Sequence, residues 1–263
     1  MPADEVSVPD SPPALPPPAL RTVGWREPLT WLALGWTDFR AAPRIGLFYG
    51  GCFMAMGWAL LAVFQHEPAY TLALSAGFLL MGPFLSLGLY HASRELEAGR
   101  RPSLRQSLVA WRTRSATLAI FGFVLLVLEM LWGRASMVVF AVSFDGMPDF
   151  KGSLLALLDP DNLAFIVTYV AVGGVFAGLI YCVSVISIPM ILDRPVDAIT
   201  AGLTSFQLVL QQTAVMVWWG ALITGLVVVA LLPGFAGLLL VGPVLGHATW
   251  HAYRRTVQWP PSD

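Results

Sequence analysis

The sequence predicts an all-α membrane protein of about six transmembrane helices, arranged as three hairpins that are each preceded by an amphipathic helix on the cytoplasmic side. Three observations predict it. Of 263 residues, 57% are hydrophobic and only 12% charged, too few polar side chains to cover a water-soluble globule. Several charge-free runs reach the length of about 20 residues that a helix needs to cross hydrocarbon with every backbone amide satisfied internally. The arginines gather in connections between those runs, as they do on the inner side of a membrane.

The elements follow in chain order. The first twenty residues hold seven prolines and neither arginine nor lysine, which fits a disordered, extended tail over residues 1–24 rather than a signal peptide. Ile45 to Gln65 and Pro68 to Ser93 form the first two spans, with His66 and Glu67 in a very short turn between them. The third span runs from about Ser115 to Trp132, interrupted only by Glu129 and followed by Arg134. A polar outer loop then surrounds the short apolar stretch Leu154 to Leu158, which reads as an interfacial turn of helix.

The fourth span lies within Asn162 to Leu192, 31 uncharged residues, so it is either tilted or extends beyond the bilayer near Pro189. Pro233-Gly234 splits the last charge-free stretch into spans at Thr213 to Leu232 and Phe235 to His251. The membrane domain covers residues 25–255, and residues 256–263 are a cytoplasmic tail. Thirteen of the fifteen basic residues fall on one side under this scheme, which puts both termini in the cytoplasm; Lys151 and Arg134 are the exceptions.

The chain also resembles itself. Gly77, Gly82-Pro83, His91-Ala92 and Arg94 recur 160 residues later as Gly237, Gly242-Pro243, His251-Ala252 and Arg254. Pro28, Gly35, Thr37 and Phe39 recur at a spacing of 167 as Pro195, Gly202, Thr204 and Phe206. Apolar residues at helical spacing, Leu29, Leu32, Trp36 and Phe39 in one copy and Val196, Ile199, Leu203 and Phe206 in the other, predict an interfacial helix before each hairpin. A weaker unit starts at Pro102 with Leu104, Leu108 and Trp111, giving repeat-like units 25–99, 100–193 and 194–255.

Few residues carry chemistry. Glu129 is the clear intramembrane ionisable group, about 21 Å from the start of its span at 1.5 Å per residue, with Arg134 close behind. Two readings stand: a buried pair or interfacial anchor, and a proton or cation site. His247 and His251 lie one helical turn apart, and His91 is the repeat partner of His251, so three imidazoles approach the cytoplasmic face as polar helix-end contacts or as metal or haem ligands. Gly82-Pro83 and Gly242-Pro243 are expected to kink their spans, and Gly173-Gly174 with Gly178 to form a small-residue packing face. The tryptophans read as interfacial anchors. Cys52 and Cys182 sit in apolar runs as small thiols, outside any disulfide framework. No phosphate-binding glycine loop, zinc motif, Cys-x-x-Cys or nucleophile elbow occurs, so neither a catalytic residue nor a metal or cofactor is expected. No basic stripe suggests nucleic acid.

The stretch Gly82-Pro83, Gly88-Leu89-Tyr90, Ser93-Arg94-Glu95, Glu97 and Gly99, followed by Pro102-Ser103, resembles a bacterial family of predicted integral membrane proteins catalogued as a domain of unknown function, DUF2189. Gly35-Trp36, Asp38-Phe39, Pro43 and Tyr49-Gly50 resemble that family's opening segment. The resemblance implies a multi-pass protein of the bacterial inner membrane and supplies no catalytic residues. Some members carry the label of a cytochrome c oxidase subunit, but four histidines in the whole chain are too few for a haem-copper centre. The resulting expectation is a non-catalytic accessory, scaffold or assembly subunit that packs in the bilayer against other membrane subunits, with a respiratory complex as one candidate. A small-solute or ion transporter using Glu129 and a haem-binding membrane protein are the alternatives.

Overall fold

The computed structural model describes residues 18–66, 71–143 and 163–260, and nearly all of them are helical. The polyproline stretch before residue 18 and the Leu154 to Leu158 turn expected from the sequence lie outside these residues. The long helices are α1 (Glu27–Ala41), α2 (Pro43–His66) and α3 (Thr71–Glu97). The short α4 (Leu104–Leu108) and a 3-10 turn (Ala110–Arg114) lead into α5 (Ser115–Ser143). Then come α6 (Leu163–Ser184), α7 (Ser187–Asp193), α8 (Ala198–Gln211), α9 (Thr213–Leu231) and α10 (Leu238–Thr256). Two short strands, β1 (Ala19–Leu20) and β2 (Val257–Gln258), pair antiparallel and hold the two ends of the described chain together on one side of the bundle.

Among the described residues, four segments are long and apolar enough to cross a membrane: Pro43–Val63, Ala110–Ser143, Leu163–Asp193 and Thr213–Leu231. The protein buries at most 44% of any of them, so most of their apolar surface needs lipid as its partner. Helix α10 is not one of the four. His247, His251, Arg254 and Arg255 lower its hydropathy, and from Pro243 to Thr256 it is wrapped by other helices.

Burial is concentrated at the arginine-bearing end. Trp31, Trp219, Trp250, Tyr253, Phe121, Ile186 and Met190 form one core there, while at the far end Val142 of α5 and Leu232 after α9 are 83% and 79% exposed. Around this core the α4 segment lies on α3, α8 lies on α6 and α7, and α1 lies along α10, while α3, α7 and α10 touch one another.

Local sequence explains the breaks. Pro43 cannot donate to the preceding turn, so α1 stops at Ala41 and α2 sets off in a new direction. Gly99 takes φ +71°, the left-handed conformation that ends α3, and Arg100 N–H donates to Glu95 C=O across it at 2.8 Å. The 31-residue apolar run is neither one tilted helix nor one extended helix. It breaks after Ser184, where Ser205 on α8 donates to the freed Cys182 carbonyl at 2.7 Å and Ser187 donates to Ala201 C=O at 3.0 Å.

The expected apolar stripes are divided: Leu29 and Trp36 on α1, and Ile199 and Leu203 on α8, are exposed, while Phe39 and Val196 are buried and Leu32 packs against the core. The faces turned inward are Pro28, Trp31, Gly35 and Phe39 on α1, and Ala201, Gly202, Thr204, Ser205 and Leu208 on α8. Gly35 on α1 and Ala201, Gly202 and Ser205 on α8 let these helices approach their neighbours closely. The third span is also longer than expected, because Ala135 to Ser143 remains apolar and a lone exposed Arg134 does not end a helix. Glu129 is therefore the fifteenth of 29 helical residues, at the middle of α5 rather than toward its outer end.

Helix α8 begins with Asp197, whose carboxylate accepts from Ile199 N–H at 2.9 Å and Thr200 N–H at 2.8 Å. The Thr200 hydroxyl and amide bonds hold this carboxyl below its ordinary pKa. Asp197→Ala should cost about 1 kcal/mol of stability at neutral pH. Because the folded-state pKa is the lower one, that contribution is complete above the ordinary carboxylate pKa and fades as pH falls through the folded value. Detergent unfolding of wild type and variant over a pH series from 7 downward checks this: the gap between the two should narrow once pH falls below the ordinary carboxylate pKa.

Candidate functional site

Glu129 faces inward from the centre of α5 and is 6% exposed, and its Oε1 has no hydrogen-bond partner. It opens onto a cavity of about 470 Å³ between α5 and α6, capped by Pro83 of α3. Leu125 and Trp132 come from the same face of α5 as Glu129; Tyr169, Phe176, Ala177 and Tyr181 come from α6. The space exists because α6 presents glycine and alanine where larger residues would fill it. A Cβ on Gly173 would meet only the Trp132 indole nitrogen at 3.4 Å, and Cβ atoms on Gly174 and Gly178 would meet nothing within 4 Å. The small-residue face expected to pack against another helix thus borders open space instead.

Arg134 does not neutralise Glu129. It is exposed, and no ion pair joins the two among the described residues. Tyr181 spends its hydroxyl proton on Met216 C=O at 2.6 Å, which anchors one wall of the cavity to α9. The arrangement is an acidic group without a counter-charge in an aromatic, otherwise apolar chamber.

The histidines lie elsewhere, in a polar knot at the arginine-bearing end. Asp38 Oδ2 on α1 accepts from Ser93 Oγ at 2.7 Å and from His251 Nε2 at 2.8 Å. Ser93 has one proton and gives it to Asp38, so His247 donates from Nδ1 to Ser93 Oγ at 2.7 Å. His247 is fully buried and its Nε2 has no partner. Serine stands between acid and imidazole here, the reverse of a hydrolytic triad, where the imidazole stands in the middle.

Arg94 reaches from α3 to Leu192 C=O at 3.1 Å and to His91 Nδ1 at 3.3 Å. Among the described residues no group of three or more His, Cys, Asp or Glu side chains could hold a metal. Both cysteines are free.

Glu97 among the remaining motif residues ties further helices together near this knot. Glu97 accepts from the Trp250 indole at 3.0 Å and pairs with Arg254 at 2.9 Å, while Arg254 also approaches Asp193 at 3.7 Å. Tyr253 donates to Asp193 at 2.8 Å, so α3, α7 and α10 are tied through three neighbouring side chains. Glu95 takes a two-pronged grip from Arg100, with bonds of 2.7 and 2.8 Å, and this guanidinium holds the carboxyl below its usual pKa. Gly88 leaves room for Tyr49, whose hydroxyl a Cβ would overlap, and Tyr90 is buried in the main core. Gly82 and Pro83 sit inside α3, Gly82 with nothing close and Pro83 at the cavity.

Sequence reasoning found Glu129 but not its aromatic surroundings, and found the three histidines but not Asp38 as the hub between two of them. A signal was present: Asp38 stands 167 residues before Ser205, the spacing at which Pro28, Gly35, Thr37 and Phe39 recur, and both side chains hydrogen-bond across to a neighbouring helix.

No curated protein and no solved structure matches the chain. Residues 71–193, from the start of α3 through the knot's arginine and acidic residues to the end of α7, match the model of a family described as predicted integral membrane protein (DUF2189).

Proposed function

We propose that this protein is a non-catalytic membrane carrier that receives a small aromatic or amphiphilic cation beside Glu129. The observation that supports this is the meeting of a buried, unpartnered carboxyl with a 470 Å³ cavity walled by Trp132, Tyr169, Phe176 and Tyr181. A carboxylate supplies the counter-charge that a cation needs in hydrocarbon, and ring faces attract the same charge. One carboxyl cannot hold a proton and a cation together, so exchange of the two would couple solute movement to a proton.

The same reading takes all six long apolar segments as spans in the bacterial inner membrane, with both termini cytoplasmic. The pairing of β1 with β2 supports termini on one side, and the arginines supply the direction. The packing of α4 on α3, α8 on α6–α7 and α1 along α10, one short or interfacial helix on each longer partner, supports the reading of three repeated units. No surface among the described residues singles out a partner subunit. The accessory-subunit reading therefore depends on its own test, co-purification of other chains in mild detergent.

Proteoliposomes loaded at acidic pH and diluted into neutral buffer with tetraphenylphosphonium test the carrier. Saturable uptake driven by the proton gradient is expected, and Glu129→Gln should reduce it at least about tenfold, the equivalent of 1.4 kcal/mol of lost interaction. Uptake equal in wild type, Glu129→Gln and protein-free vesicles would remove the proposal.

A further inference from the structure

A second cavity, about 650 Å³, opens on the outside of the bundle between α3 and α5, and nothing in the carrier mechanism uses it. Its walls are apolar for most of their length: Leu85, Leu87, Leu118 and Ala119 run along it from the two helices. Toward the arginine-bearing end it becomes polar, where Ser107, Trp111 and Ser115 line it. Tyr49 and Ser107 share a hydrogen bond of 3.1 Å there, so the end wall is fixed.

The arginines next to this end in sequence have no ion-pair partner among the described residues, in contrast to Arg100, Arg254 and Arg255, which pair with Glu95, Glu97 and Glu27. Arg101, Arg105, Arg112 and Arg114 make no ion pair among the described residues, and Arg112 lies over the Trp111 ring at 5.8 Å. Arg114, flanked in sequence by the groove-lining Trp111 and Ser115, has its Nε buried without any hydrogen-bond partner. A buried guanidinium donor left unpaired is costly unless an acceptor arrives from outside the chain.

We propose that this groove binds one anionic glycerophospholipid, with its phosphate on Arg114 and Arg112 and one acyl chain along the apolar wall. The polarity gradient matches that molecule end for end. The groove faces the layer where lipid is the solvent, and a guanidinium fork recognises phosphate oxygens with matched geometry. Tryptophan at the polar end suits the headgroup boundary. A free anion accounts for the arginines but not for the long apolar wall, and a partner helix accounts for the wall but not for the unpaired guanidinium.

The test is thermal unfolding in detergent, followed by tryptophan fluorescence, on adding phosphatidylglycerol, phosphatidylcholine with the same chains, or inorganic phosphate. Phosphatidylglycerol should raise the midpoint by several degrees, and the other two should leave it within a degree. The gain should disappear in Arg112→Gln/Arg114→Gln, return in large part in Arg112→Lys/Arg114→Lys, and shrink in Ala119→Trp, which obstructs the chain path without touching charge. Native mass spectrometry of the same samples should retain one phosphatidylglycerol on wild type and none on the glutamine double variant. Equal stabilisation by both lipids, stabilisation by phosphate alone, or retention of the lipid by the glutamine variant would each overturn the assignment. If the glutamine variant fails to fold, Ala119→Trp carries the test alone, and an undiminished response to phosphatidylglycerol there is contradictory.

Discussion

Asp38→Ala should lower the unfolding free energy in mild detergent by about 3 kcal/mol, because the loss of one partner strands the other polar groups in a buried cluster. Ser93 Oγ and His251 Nε2 both converge on Asp38 Oδ2, and the His247–Ser93 bond depends on the serine proton staying committed to that acid. With the carboxylate gone, the serine hydroxyl and two imidazoles compete for bonds in a space that water reaches poorly: Asp38 and His251 are only 14% and 15% exposed. Asp38→Asn keeps the shape and one acceptor and should cost less than half as much. A loss below about 0.5 kcal/mol for the alanine variant, the range of ordinary surface substitutions, would mean that the knot contributes little to stability.

Gly50→Val should be as damaging for a steric reason. A Cβ at position 50 would stand 2.1 Å from Leu239 C=O, so α2 and α10 must separate along the contact that closes the bundle. Overpacking of this kind costs about 3 kcal/mol at the upper end of its usual range, because backbone rather than a flexible side chain has to give way. Gly51 is the internal control. A Cβ there meets nothing within 4 Å, so Gly51→Ala should be neutral or gain up to about 1 kcal/mol of helix propensity. Unfolding of the two variants side by side separates a packing effect from any general intolerance of substitution in α2.

Much of the architecture is legible in the sequence, and the failures have physical causes. Hydropathy finds α2, α5, α6 and α9 because lipid selects for unbroken apolar runs. It misses the break between α6 and α7, since Ser205 and Ser187 satisfy the broken helix without any charge to announce it. Periodicity marks α1 and α8 but cannot divide their apolar residues between protein and bilayer interface: Leu29, Trp36, Ile199 and Leu203 are exposed, whereas Phe39 and Val196 of the same stripes are buried.

The site is legible to a similar extent. A carboxylate in a span marks itself by its cost, so Glu129 is visible from the sequence alone. Its cavity is not, because Gly173 and Ala177 carry the same letters whether a neighbouring helix packs on them or a space is left. The knot is hidden by distance along the chain: Asp38 lies 55 residues from Ser93 and 213 from His251. Gly99, by contrast, is readable, since a glycine directly after a charged helix end is the usual way to stop a helix.

The central claim is that Glu129 is a chargeable group reached from within the membrane and shared with a cationic solute. Dicyclohexylcarbodiimide, a lipid-soluble reagent for carboxyl groups, measures this directly when the labelled peptides are read by mass spectrometry. The account predicts modification at Glu129, absent in Glu129→Gln and suppressed by tetraphenylphosphonium in a concentration-dependent way. Labelling that avoids Glu129, or labelling of Glu129 that the cation leaves untouched, would contradict it.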